Sequence, residues 1–159
     1  VYCDIAERFQ GDGYEWHVFG DGPMRLELEA RAIPGLIFHG MVTDMERVWA
    51  DLGLVVMPSR GEGLPLAAIE AIGAGVAVVA SDVGDLSKVI VSDTSGWLVA
   101  AGDVDGFAAA IASWQALSPD RALALRHSAW RHARDQFSEA AGLPQVLALY
   151  ARLGVRPDA

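Results

Sequence analysis

Short apolar runs rich in β-branched residues alternate along this chain with longer stretches whose apolar residues recur every three or four positions. That alternation is the pattern of a parallel sheet with crossover helices. Trp16 to Phe19 predicts a strand, closed by the turn residues Gly20-Asp21-Gly22-Pro23. Pro23 suits a first helical position, and a helix is expected from there to Ala32, with Met24, Leu26 and Leu28 along it. Leu36 to His39 is the second strand, and Thr43 is placed to cap a short helix carrying Val48 and Trp49. Gly53 to Met57 holds no polar residue, and a strand apolar on both faces belongs in a covered, central position. After the loop Ser59 to Gly63, a helix is expected from Pro65 to about Ala74, with Gly75 just past its cap. Val76 to Ala80 is the fourth strand, Asp85 to Val91 a short helix, and Trp97 to Val99 a fifth strand. The remainder reads as helix: Asp103 to about Leu117, Pro119 to about Phe137, and a last amphipathic segment that Pro144 reopens and Gly154 closes. Residues 155–159 read as a frayed tail.

These elements predict an α/β fold, a Rossmann-like doubly wound parallel sheet with helices on both faces, forming a single lobe over 1–154. The chain opens in a helical pattern, with Ile5, Ala6 and Phe9 on one face, where such a sheet ordinarily opens with a strand. In the strand order 3-2-1-4-5-6 that first strand is central. A gap is therefore expected between the Trp16–Phe19 strand and the Gly53–Met57 strand.

Composition narrows the chemistry. The chain has 159 residues, about one domain, and carries 12 Lys and Arg against 21 Asp and Glu, a net charge of -9. The basic footprint of a nucleic-acid binder is absent. The most apolar stretch, Leu64 to Val83, is interrupted by Glu70, Gly73, Gly75, Ser81 and Asp82, so no transmembrane segment is expected. Cys3 stands alone and no leader pattern opens the chain, which makes a reducing, cytoplasmic setting the expectation, the inner face of a membrane included. The four histidines are scattered, with no spacing that brings two to one metal ion. Trp114 and Trp130 fall at helical spacing among Ala and Leu and are expected in the core. His127 and His132 with Arg126, Arg131 and Arg134 make a locally basic helix face; such faces are ordinarily solvated, with anionic lipid or another lobe as alternative contacts.

The candidate chemistry lies between Pro58 and Gly75. With Pro65 opening a helix, the amides of Leu66 and Ala67 lack intrahelical partners, just beyond the carboxyl end of the preceding strand. With Gly63 and Leu64, they could cradle a diphosphate, although water satisfying these amides at an ordinary helix start is the simpler reading. Glu70 interrupts a helix that is otherwise apolar, so burial would oblige it to find a partner. Ribose hydroxyls facing a cleft or an ion pair with Arg60 or Lys88 both answer that need. Gly20-x-Gly22 lacks the third glycine of a dinucleotide fingerprint.

In order and spacing, five blocks resemble the retaining glycosyltransferases of family 4 (group 1): Val18 to Pro23, Ile37 to Val42, Leu54 to Ser59, Glu70 to Ser81 and Gly96 to Val99. Glu62 and Glu70 stand where the family's Glu-x7-Glu signature has its two glutamates. The resemblance implies the C-terminal, donor-binding lobe of a two-lobed B-type fold. A nucleotide diphosphate sugar would then be the donor substrate, with no further cofactor and no metal. It also implies that Glu62 faces the donor sugar, that Glu70 holds the ribose, and that Gly63, Leu64, Leu66 and Ala67 meet the diphosphate. Met41, Val42 and Asp44 would border the base, Gly20 and Gly22 would let their turn approach the cleft, and Arg60 would partly stand in for basic residues at the diphosphate. Those basic residues, and a partner N-terminal lobe, are implied outside the residues given. One departure is Lys88, which stands where the family has a glutamate after a Gly-Gly pair, here Gly84-Asp85. That reversal keeps open a second reading, a non-catalytic interaction or regulatory module of the same fold.

Overall fold

A computed structural model describes residues 1–154; the expected tail at 155–159 lies outside the described residues. Strands and helices alternate as the pattern predicts. In chain order they are α1 (Tyr2–Arg8), β1 (Trp16–Phe19), α2 (Arg25–Glu29), β2 (Leu36–Gly40), α3 (Met45–Asp51), β3 (Leu54–Met57) and α4 (Leu66–Gly73). There follow β4 (Ala77–Ser81), α5 (Leu86–Val89), β5 (Gly96–Val99), α6 (Val104–Gln115), α7 (Pro119–Phe137) and α8 (Glu139–Arg152).

All the strand pairs are parallel, in two separate sheets. β1 pairs with β2, while β3, β4 and β5 form a second sheet in that order. Between β1 and β3 there is no ladder, and the expected gap is there. A cleft of about 870 Å³ occupies it, walled by Trp16 to Phe19 on one side and Leu54 to Val56 on the other. The gap alters one expectation: β3 is an edge strand, half-buried throughout, and the covered central place belongs to β4, buried at every position. Apolarity on both faces reports what packs above and below a strand, and leaves its lateral pairing unspecified.

Two apolar clusters hold the layers together. Val78 and Ala80 of β4 face α4, α5 and α7 through Ala68, Ala71, Ile72, Leu86, Val89 and Ala129. Val79, pointing the other way, joins α1 and α6 through Ile5, Phe107 and Ile111. Trp16 of β1 belongs to this second cluster, so α1 and α6 bridge the two sheets on one face of the cleft.

Helix ends follow their local chemistry with a few corrections. Gly75 (φ +74) lies past the cap of α4. Its amide donates to the Ile72 carbonyl (3.0 Å) and that of Val76 to the Ala71 carbonyl (2.8 Å), the two bonds of a Schellman ending. Asp103 caps α6 by accepting from the Gly106 amide at 2.9 Å. Pro65 is the cap of α4 (φ -76, ψ 112) and not its first helical residue. Asp44, not Thr43, precedes α3, and its side chain makes no capping bond. α2 and α5 are shorter than the pattern suggests. Pro144 does not reopen the last helix; it lies inside α8, which starts at the Ser138 cap, whose hydroxyl accepts from the Ala141 amide at 3.2 Å. A proline in the second turn forfeits one backbone bond, which the cap and the remaining turns outweigh.

Candidate functional site

The segment from Pro58 to Pro65 leaves the end of β3 and is braced from two directions. The Ser59 hydroxyl donates to Oε1 of Glu62 at 2.6 Å, fixing a carboxylate that the loop alone would leave free. From the other side, the Asp85 amide donates to the Gly63 carbonyl at 3.1 Å. Gly84 (φ +56) packs so closely on Glu62 that an added Cβ would overlap the Glu62 carbonyl. The post-β4 turn thus sets the height of the Glu62 loop. The spacing Ser59-x-x-Glu62 was a readable signal of the first brace, being that of a capping box, although here hydroxyl meets carboxylate directly.

α4 follows. Its first amides, of Leu66 and Ala67, have no backbone acceptor among the described residues, whereas those of Ala68 and Ile69 reach the Pro65 carbonyl at 3.2 and 3.4 Å. The shift of Pro65 to the cap therefore leaves the expected pair of donors in place. The helix buries Ala68, Ala71 and Ile72 and exposes Leu66, Ala67, Glu70, Gly73 and Ala74. Glu70 is exposed, contrary to the expectation of burial, because it lies on the stripe of α4 that also carries the exposed Leu66 and Ala67. Nor does it find the ion pair weighed for it: Lys88 binds Asp85 at 2.7 Å and is itself largely exposed, and no cation pairs with Glu70 among the described residues. The charge reversal at Lys88 is thus neutralised locally. Arg60 is exposed and makes no ion pair among the described residues.

The cleft brings together Gly20, Met41, Val42, Ala67 and Glu70. Glu62, Gly63, Leu64, Leu66, Arg60, Asp44 and Gly22 do not line it. Of these, Leu64 and Leu66 are 48% and 68% exposed, and Met41, on the opposite rim, is 77% exposed. Asp44 pairs with Arg47 at 3.1 Å, and the Gly22 amide donates to the Asp21 carboxylate at 2.7 Å.

Further residues at the cleft escaped the sequence reading. Tyr2 donates from its hydroxyl to the His17 carbonyl at 2.9 Å, tying α1 to β1, and burial pushes the Tyr2 phenol well above its ordinary range. Trp16 has a buried indole N–H without a partner among the described residues. His17 and His39, expected apart, stack with Nδ1 and Nε2 2.8 Å from one another: parallel pairing sets His17 opposite Ile37, and His39, two residues on, is skipped by the ladder where the register shifts between Val18 and Phe19. Their sequence separation held no sign of this. Neither Trp114 nor Trp130 joins the core clusters: Trp114, half-buried, packs its ring on Gly53 at the cleft, and Trp130 is 47% exposed, with Arg134 over its ring at 4.9 Å.

A parallel α/β lobe with free helix-opening amides and a lone carboxylate at the carboxyl ends of its strands belongs to the class that takes ligands there. Comparison with known proteins makes this specific: the family model described as glycosyl transferases group 1 matches residues 3–116, and the chain belongs to that family. The lipopolysaccharide core biosynthesis mannosyltransferase LpcC of Rhizobium leguminosarum bv. viciae is 41% identical over 105 residues, covering 65% of this chain and 29% of that protein. This chain therefore spans less than a third of that relative. Among solved structures, Anabaena HepE in complex with UDP and glucose superimposes with a TM-score of 0.85 at 18% identity, over 95% of this chain and 44% of that one. Sucrose-phosphate synthase from Thermosynechococcus elongatus does so with a TM-score of 0.82 at 24% identity, over 96% and 42%. At such identities the likeness is one of fold.

Proposed function

We propose that this chain is the donor-binding lobe of a retaining glycosyltransferase, which binds a nucleotide diphosphate sugar and presents it to an acceptor held on a second lobe. The observation that carries the reading is the grouping on α4 of two amides at its start without a backbone acceptor (Leu66 and Ala67) and, one turn on, a carboxylate in the wall of a cleft (Glu70) with no ion-pair partner among the described residues.

The chemistry divides accordingly. Amides at a helix start stabilise charge that builds on a departing diphosphate, because they point at it before the reaction and need no reorganisation. Glu70, free of any cation, can accept hydrogen bonds from two ribose hydroxyls. Glu62, held by Ser59, would face the sugar, with its loop supported by Gly84. Met41, Val42 and Asp44 would border the base, Gly20 and Gly22 the adjoining turn, and Arg60 the diphosphate. Exposed Met41, Leu64 and Leu66 form an apolar rim that the donor and the second lobe would cover. The open edges of β1 and β3, with the orphaned Trp16 N–H between them, suit one further parallel strand supplied from outside these residues.

Isothermal titration with a panel of nucleotide diphosphate sugars tests the reading. One of them should bind, and Glu70→Ala should weaken it at least about tenfold, the loss of one charge-assisted hydrogen bond of roughly 1.5–3 kcal/mol. Unchanged affinity would remove Glu70 from the ribose.

A further inference from the structure

α7 differs in charge from the rest of the chain. It holds four of the 12 Lys and Arg and two of the 21 Asp and Glu. Its buried stripe is Leu125, Ala129 and Ala133, of which Ala129 and Ala133 join the cluster shared with α4 and β4. The opposite stripe, at intervals of three and four, carries Leu123, Arg126, His127, Trp130, Arg131 and Arg134, all exposed. Arg126 and Arg131 have no carboxylate partner among the described residues; Arg131 reaches only the Ser128 hydroxyl, at 3.4 Å. Arg134 is shared between Asp135 and the face of Trp130. Asp120, at the first turn, is the remaining acidic group of the helix.

Two large apolar side chains on this basic stripe are open to solvent, Leu123 at 56% and Trp130 at 47%. They flank a shallow depression of about 400 Å³, lined by Leu123, Arg126, His127 and Trp130 with Ala74 and Gly75 from the end of α4. An indole and an aliphatic side chain at the centre of a cationic helix face are the groups that lie at a lipid–water boundary, the rings in the headgroup layer and the guanidiniums on phosphates.

The geometry points to the exposed face of α7 as a docking surface for an anionic phospholipid membrane. Charge selects this occupant: on a chain of net charge -9, a face that concentrates arginines attracts an anionic surface while the rest is repelled from it. Apolar contact from Leu123 and Trp130 supplies what phosphate attraction alone lacks. The placement is also compatible with the cleft. The depression abuts the last residues of α4, whereas Leu66 and Ala67 open that helix about 12 Å away along its axis; Glu70 stands about one turn from Ala74. This inference is independent of the donor reading.

Co-sedimentation with vesicles tests it, using phosphatidylcholine alone and phosphatidylcholine with 30% phosphatidylglycerol. The chain should bind the second and not the first, with affinity falling as salt rises. The double charge reversal Arg126→Glu with Arg131→Glu and the single change Trp130→Ser should each weaken binding at least fivefold, while unchanged thermal unfolding shows that the fold is retained. Glu70→Ala, and saturating nucleoside diphosphate or inorganic phosphate at matched ionic strength, should leave vesicle binding as it was. Equal binding to both vesicles, binding undiminished in the variants, displacement by inorganic phosphate, or a dimer in solution that the same variants dissociate would overturn the proposal.

Discussion

Glu62 and Glu70, eight positions apart, answer to different surroundings. Glu62 is oriented by Ser59 and by a turn one strand away, whereas Glu70 stands unpaired on the open stripe of α4. The support under Glu62 makes a prediction at Gly84. A methyl group there would require the left-handed conformation of an alanine, about 1 kcal/mol, and would also push into the Glu62 carbonyl. Gly84→Ala should therefore lower stability by more than about 1 kcal/mol in urea unfolding and weaken donor binding together with it. Gly61→Ala, with open space around the added carbon, should change stability by under about 0.5 kcal/mol. Equal effects of the two would remove Gly84 as the support. The glutamates and the glycine were legible as a pattern of residues. The exposure of Glu70 was not, because Leu66 and Ala67 beside it look like core residues while facing solvent.

Among the elements, α1 and α6 bridge a divided sheet. Phe107 of α6 is fully buried in the cluster that also holds Ile5 and Trp16, and Phe107→Ala should cost about 3–5 kcal/mol in chemical denaturation. A much smaller loss would mean that the cluster does not couple the sheets. Cys3 reports on α1 more gently. Burial pushes its thiol above the ordinary range, so at pH 8 the neutral form dominates and a disulfide reagent should label native chain slowly and denatured chain fast. Rapid native labelling would show α1 undocked. Element boundaries were legible where backbone chemistry is local, as at Gly75, Asp103, Pro119 and Gly154. They were misread where a proline competes with a cap: Pro65 and Pro144 both read as openings, but Pro65 caps α4 and Ser138 opens α8.

At the scale of the molecule, strand order and both helical layers follow from the alternation of apolar periods, and so did the gap. What pairing leaves at the edges did not follow, since β3 reads as a central strand and is flanked by a cleft. Amide exchange should show the difference, with β4 opening only on global unfolding and the cleft-side amides of β1 and β3 exchanging through smaller openings. Uniform protection across β1, β3 and β4 would mean the cleft is closed in solution. The central claim, that the start of α4 receives a diphosphate, is tested most directly by following the backbone amide resonances of Leu66 and Ala67 during titration with nucleoside diphosphates and with the corresponding nucleosides. The account predicts saturable shifts of these two amides with one of the diphosphates and none with its nucleoside. Shifts of equal size with both, or diphosphate binding that leaves these amides unmoved, would contradict it.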